Sequence, residues 1–480
     1  MHIDLDLSVN SLPSMSDFCV VGSGPAGMTL ALALGDFGRT VILLEGGGFS
    51  ESDESQDIYK GDVIGDPYFD LNVARLRYLG GTSGHWGGWC IPLHEFDFRK
   101  KDGFEDAHWP IEKKDLDPFF EKACSILDIP QPANEAVIDS EFGIKETHIS
   151  TSAVHFGEKY REKLNSSKNV ICVTHANLTG LSTDGQRVSS ATVTNFGGKS
   201  ANVKAKYFIF AMGGIENSRM LMWCNHQAKG KIIDPAAPLG RYWMEHLNFR
   251  VGNAVIDLKL VEPDIKLRFV GLTEVVRRKL SILDCRITLS EIPRGGAVQE
   301  LLRDLLCVAP RAGKWLAARV KQKLACGAKL IAEWEQEPIW NNHVRLSETK
   351  RDRFGIPLTE LHWKKTDRDL ATVQKTFSHF NDYVMSRNLG RIKFVDWMIG
   401  KGGFPDFRLT GDDGGSYHHM GGTRMALTVE KGVVDQNCRV FGKTNLYVGG
   451  SSVFPSGGSV NPTLSIVQLS LRLAEHLRHA

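Results

Sequence analysis

The sequence predicts an α/β chain, α+β overall, arranged as two domains or one discontinuous pair. Three observations predict it. At 480 residues the chain exceeds what one hydrophobic core organises. Residues 17–45 read as strand, glycine turn, helix and strand. Residues 249–292 read as long strands of mixed alternation, which departs from a βαβ pattern and points to an antiparallel sheet.

Composition narrows the possibilities. The apolar and charged fractions, 42% and 24%, are those of an ordinary globular protein. A net charge of +2 gives no general case for binding nucleic acid or a membrane. The nine cysteines are scattered and form no CxxC pair, so they read as reduced core thiols and supply neither a disulfide framework nor a zinc site. The N-terminus shows no basic region followed by an apolar one, and no run of ~18 apolar residues appears. A cytoplasmic protein without a membrane span is the expectation, unless a partner subunit carries an export signal.

In the first unit, Asp17–Val21 is an apolar run ending at Gly22-Ser-Gly24-Pro-Ala-Gly27. A helical pattern follows, then a second apolar run, Val41–Leu44, closed by Glu45. Gly22 permits the turn, Gly24 lets the backbone approach a pyrophosphate, and Gly27 lets helix pack on strand. The helix N-terminus favours the phosphates electrostatically. Glu45 lies 18 residues past Gly27, where an acid binds a ribose hydroxyl pair. No second such motif occurs, so the chain has room for one dinucleotide, NAD or FAD.

Residues 80–88, Gly-Gly81-Thr82-Ser83-Gly-His85-Trp86-Gly-Gly, form a glycine-rich loop able to lie flat against a planar ring and offer it backbone N–H groups. That favours FAD. His85 reads as a hydrogen-bond partner of the ring or of neighbouring backbone. Residues 107–129 read as a turn and an amphipathic helix. Residues 170–212 contain strands, including Val170–Val173 and Tyr207–Ala211, and Gly213–Arg219 opens another helix. In the second unit, strands are expected at 249–260, 267–276 and 280–289, with a hairpin pairing 343–346 and 358–361. Residues 297–334 read as a helical, basic insert, either a solvated face or a docking surface for a partner or membrane headgroups. Leu370, Val373, Phe377, Phe380 and Val384 form a core stripe at helical spacing. Trp315, Trp334, Trp340 and Trp397 also fall in this unit.

The C-terminal stretch carries the chemistry. It runs from Tyr-His418-His419-Met-Gly-Gly-Thr423 to Gly450-Ser451 and Asn461-Pro462-Thr463. Asn461 is a good N-cap and Pro462 suits a first helical position, so the positive end of the last helix faces whatever Asn461 faces.

Together these motifs resemble the glucose–methanol–choline (GMC) flavin oxidoreductases over essentially the whole chain. They are the GxGxxG with Glu45, the 80–88 loop, Gly213–Arg219, Gly240–His246 and the closing segment. Within the family the chain is similar to the sugar- and glycoside-oxidising branches, which include bacterial pyranose oxidases and glycoside 3-oxidases and dehydrogenases. The resemblance implies a discontinuous Rossmann-like FAD-binding domain, residues 1–100, 155–248 and 412–480. It implies a substrate domain on an antiparallel sheet, residues 101–154 and 249–411. The cofactor-binding set is then Gly22, Gly24, Gly27, Glu45, Gly81, Thr82, Ser83, His85, Trp86, Val173, Gly450, Ser451, Pro462 and Thr463. His85 matches the histidine that carries covalent flavin in pyranose oxidases but lacks the flanking Thr residues, so non-covalent FAD is expected. Gly450 stands where many members carry Asp, leaving the flavin phosphates to Ser451 and backbone N–H groups.

The implied reaction oxidises an alcohol of a sugar or glycoside to a carbonyl. His419, at the His of the family's His-x-x-Gly-Thr motif, takes the hydroxyl proton, and a hydride passes to the flavin. Asn461 donates to the developing alkoxide. His418 is the rival base, and the motif register selects His419. Oxygen, a quinone or a carrier protein reoxidises the flavin. A sterol, alkyl or aryl alcohol is the alternative substrate. A flavin-dependent lyase and a catalytically silent binding protein are the alternative functions.

Overall fold

A computed structural model describes residues 1–7, 12–130, 139–144, 148–149, 152–256, 267–290, 328–400, 404 and 414–480. Its first sheet has six parallel strands in the order His2–Asp4, Val170–Thr174, Val41–Leu44, Ser16–Val21, Ala205–Phe210 and Leu446–Val448. The near-continuous apolar strands suit a parallel sheet covered on both faces, and Val41–Leu44 is fully buried. Both ends of the chain meet here. Helix Pro25–Asp36 packs against the last helix, Thr463–His476.

The glycines of the first turn act as the spacing predicts. Gly22 has φ +102°, and a Cβ there would lie 2.5 Å from the Ala211 carbonyl oxygen. A Cβ on Gly27 would lie 1.8 Å from the Gly22 carbonyl oxygen, so only glycine lets the helix close on the turn. Gly24 faces open space, with no heavy atom within 4 Å of its missing Cβ.

A second sheet is antiparallel. Its strands run Gly390–Phe394, Leu247–Ile256, Ala328–Trp334, Cys285–Ser290, Leu267–Leu272 and Phe142–Ile144, with Gly414–Gly415 pairing at Leu247–Asn248. One face packs on helix Asp367–Ser386, whose Val373, Phe377, Phe380 and Val384 are buried. Leu370 is only half-buried at the end of that stripe. The predicted hairpin forms as His343–Arg351 with Pro357–Trp363, and the latter also pairs in parallel with Gly61–Gly65.

Four elements differ from expectation. The strand expected at 267–276 stops at Leu272, and Glu274–Leu280 is a helix followed by strand Cys285–Ser290. Val275 and Val276 read as strand by propensity, but the acid at the helix start and three basic residues in its last turn complement the helix dipole. Residues 328–334, assigned to the basic insert, form a central strand, while the rest of 297–334 lies outside the described residues. Residues 107–129 hold only one short α-helix, Phe120–Ile126, after two 3₁₀ turns. The last helix starts at Thr463 with Pro462 as its cap, because the Asn461 side chain is committed elsewhere. The seven cysteines among the described residues are buried.

The glycine geometry yields a paired expectation. Gly27→Ala forces a Cβ into backbone and costs about 1–3 kcal/mol. Gly24→Ala, opening onto free space, leaves unfolding in urea close to wild type. Equal midpoints for both variants would contradict this account of the turn.

Candidate active site

A cavity of about 560 Å³ lies between the two sheets. Gly22, Gly24, Glu45, Gly81, Thr82, Ser83, His85, Trp86, Gly450, Ser451, Asn461, Pro462 and Thr463 all line it, as do His418 and His419. Two predicted positions do not. Gly27 sits behind the turn, and Val173 contributes its carbonyl to the Glu45 N–H at 2.8 Å. Glu45 is held in place by Ser23, whose hydroxyl donates to it at 2.6 Å, and by the Gly47 N–H at 2.9 Å. Helix Pro25–Asp36 has no side-chain cap, so its first N–H groups face the cavity free to bind phosphate oxygens. The residues therefore fit a dinucleotide with a planar ring beside the 80–88 loop.

The opposite wall is the second sheet. Its register sets Asn248 opposite Glu333 and Glu333 opposite Arg286, in one row across three strands. The next row on the same face is Ile331, Thr288 and Phe269. All six line the cavity. Arg286 donates to Glu333 and, at 3.2 Å, to Asn461 Oδ1. None of these wall residues belongs to a motif, so sequence reading missed them. The only available signal was a charged residue at an alternating position in each of two apolar strands. Of the tryptophans singled out, Trp334, Trp340 and Trp397 lie away from the cavity, and Trp315 lies outside the described residues. Tyr59, Trp86, Trp89, Phe269 and Tyr417 supply its aromatic surface.

The two adjacent histidines have different partners. Sequence reading paired His419 with Asn461. The structure instead sets Asn461 Nδ2 3.4 Å from His418 Nε2. His418 Nδ1 lies 2.9 Å from His246 Nδ1, and His246 Nε2 lies 2.7 Å from the Gly458 carbonyl oxygen. A carbonyl only accepts, so His246 carries its proton on Nε2 and, being neutral, accepts on Nδ1. His418 must then donate from Nδ1, which leaves its Nε2 lone pair beside Asn461. His419 turns the other way. Its Nε2 lies 2.9 Å from the Tyr68 hydroxyl, which in turn donates to Glu245. Adjacent side chains cannot share one partner shell here, and it is His418 whose Nε2 opens on Asn461.

Burial sets the protonation states. It holds His418 well below the usual imidazole range, with the charges of His246, Arg286 and His419 adding to the effect. It pushes His419 down to about 3, with Arg75 contributing, and lowers His246 as well. Burial also raises Glu245 to about 8. Ligand atoms of His246, Glu333 and His418 lie within 4.8 Å of one another, a spacing that the hydrogen bond between the two rings already explains.

A phosphate-binding turn that leads into a cavity lined by a neutral imidazole fits a flavin-dependent oxidoreductase, with FAD as its cofactor. Residues 338–470 match the family described as GMC oxidoreductase. The chain is 21% identical to 2-methyl-1,2-propanediol dehydrogenase of Mycolicibacterium austroafricanum, over 96% of this chain and 95% of that protein. It is 23% identical to C-glycoside 3-oxidase of Microbacterium trichothecenolyticum, over 98% of each. The crystal structure of pyridoxine 4-oxidase from Mesorbium loti superposes with a TM-score of 0.60 at 16% identity, over 97% of this chain and 99% of that one. With this similarity to the GMC oxidoreductases, the chain is an FAD-dependent alcohol oxidoreductase. Among the described residues no helix is long and apolar enough to cross a membrane.

The depressed imidazole of His419 makes stability pH-dependent. The unfolded chain takes up its proton near pH 6.5 while the folded chain does not until about 3. The contribution is therefore present above 6.5 and is lost as pH falls, at about 1.4 kcal/mol per unit. Thermal unfolding from pH 6.5 to 4.5 is expected to show a shallower decline for His419→Asn than for wild type. Identical slopes would mean that His419 is not buried neutral.

Proposed function

We propose that the protein oxidises a secondary or primary hydroxyl of a sugar or glycoside, with His418 as the general base and Asn461 as the hydrogen-bond donor to the developing alkoxide. One observation carries this reading: among the described residues, the Nε2 lone pair left beside Asn461 by the hydrogen-bond chain from Gly458 is that of His418. The base proposed from the motif register, His419, has its Nε2 committed to Tyr68. When bound, FAD accepts the hydride from the alcohol carbon.

The chain's own part is proton handling and positioning. His418 accepts the hydroxyl proton on Nε2, its low proton affinity keeping it neutral at working pH. Arg286 holds the Asn461 carbonyl at 3.2 Å and so turns the Asn461 amide N–H₂ toward His418 and the substrate oxygen. The polar row Asn248, Glu333 and Arg286 favours a hydroxyl-rich substrate over a sterol or alkyl alcohol. The names of two relatives, a glycoside oxidase and a diol dehydrogenase, agree with such a substrate. Gly22, Gly24, Glu45, the 81–86 loop and the Gly450-Ser451 turn are the proposed FAD contacts, with His85 making no covalent bond. Residues 1–100, 155–248 and 412–480 are the proposed FAD domain, and 101–154 and 249–411 the substrate domain. Two large apolar clusters follow that division in part: Trp109, Leu116 and Leu127 pack with the first sheet's cluster, and Leu71, Trp243 and Leu247 with the second's. The electron acceptor is oxygen, a quinone or a carrier protein.

Two measurements test this. His418→Ala is expected to lower turnover by at least ~10²-fold with FAD still bound, and His419→Ala by much less. The reverse order returns the base to His419. Anaerobic addition of sugars and glycosides is expected to bleach the flavin band, where sterols and simple alkyl alcohols do not. Admitting air then separates oxygen from other acceptors.

A further inference from the structure

We infer that Tyr417 reads the ring form of the substrate: its side chain is a platform on which the C–H face of a pyranoside stacks, so the site selects a cyclic sugar over an open-chain polyol. This role presupposes the sugar or glycoside reading above and is independent of which histidine takes the proton. Among the described residues lining the cavity, Thr82, His85, Gly87 and Tyr417 are exposed. The first three belong to the glycine-rich loop proposed for the cofactor. Tyr417 stands outside that loop, just before His418, with 42% of its surface open.

Two features hold the ring there. The Tyr417 backbone is left-handed, φ +56°, a conformation that a bulky residue rarely adopts. Such outliers persist where the surrounding structure enforces them, and they cluster at ligand-binding sites. The Tyr417 ring packs on Phe69 at 4.8 Å, and Phe69 meets Tyr68 edge-on at 5.5 Å. Tyr68 in turn meets Trp243 at 5.8 Å and Trp363 at 5.2 Å, and these last three rings are buried. The exposed ring therefore ends a rigid aromatic stack, with little freedom left to lose when a ligand covers it. A pyranoside is amphipathic, with hydroxyls around its rim and C–H bonds on its faces. The cavity offers a partner to each. Asn248, Glu333 and Arg286 supply a polar row, and Tyr417 supplies an aromatic face that gains dispersion contact from an apolar surface. An open-chain polyol presents no such face and gains from the polar row alone.

The test follows anaerobic flavin reduction in the FAD-bound protein. The substrates are methyl glucoside, methyl galactoside and methyl xyloside, and the corresponding alditols serve as substrates or competitors. Two variants separate the ring from its backbone. Tyr417→Phe keeps the ring, and Tyr417→Asn removes it with a residue that tolerates the left-handed backbone. Wild type is expected to bind the preferred pyranoside about tenfold more tightly than its alditol. In Tyr417→Asn the saturation constant for the pyranoside rises about tenfold and that for the alditol does not follow, so the discrimination is lost. Tyr417→Phe retains it. A Tyr417→Asn protein that keeps the discrimination would overturn the role of Tyr417. So would an equal fall in the limiting rate for every substrate with the discrimination intact, because that marks a merely structural role. A wild-type flavin that no pyranoside reduces or competes for would instead overturn the sugar reading on which the role rests.

Discussion

The bond between His246 Nε2 and the Gly458 carbonyl, 2.7 Å long, is the constraint on which the site depends. It fixes the tautomer of one ring and, through the 2.9 Å contact between the two Nδ1 atoms, that of the next. It can do so only if the segment carrying Gly458 and Asn461 does not move. That segment is tied down by buried polar contacts. Ser459 donates to Asp284 at 2.6 Å, and Ser456 donates to Glu335 at 2.6 Å. Lys101 reaches both Glu335 and Ser456 at 3.0 Å. Burying a lysine is expensive unless every proton is used, and here it also meets the carbonyls of Asp97 and Ala107. The arrangement supports a rigid base better than it supports stability.

The same burial explains why a histidine and not a carboxylate suits the position. Buried there, an imidazole favours its neutral form, so it can accept a proton without first losing one. Glu245, next in sequence to His246, shows the opposite response: burial raises it to about 8 while it accepts the backbone N–H groups of His246 and His418. Its work is to orient the backbone of both histidines, through Oε1, and to receive Tyr68 through Oε2.

Much of this was legible in the sequence. The turn at Gly22, Gly24 and Gly27 was, because each glycine answers a local steric demand that spacing alone reveals. The cavity-lining loop at 81–86 and the Gly450–Thr463 segment were, because their composition admits few other conformations. The separate partners of His418 and His419 were not, since one residue of register separates the two and those partners come from residues 68, 245, 246 and 461. The helix Glu274–Leu280 was hidden by its two valines, where end-charge placement outweighs β propensity. The cavity wall of the second sheet was invisible because its residues share a row only after three strands have paired.

That row shows how sheet register can encode chemistry. Successive strand residues face opposite sides, so Arg286, Thr288, Ile331 and Glu333 face the cavity while Ile287, Ala332 and Leu330 face the core with Phe377. A slip of one residue would put Ile287 and Ala332 against the cavity and bury charge in the core. The ion pair itself is not what a stable fold requires. Apolar residues of similar volume would often serve as well or better, whereas loss of one partner costs about 3–5 kcal/mol. An interior that keeps Arg286 and Glu333 side by side, one bonded to Asn461 and the other facing two imidazoles, is shaped by what happens at the cavity and not by what holds the sheet together.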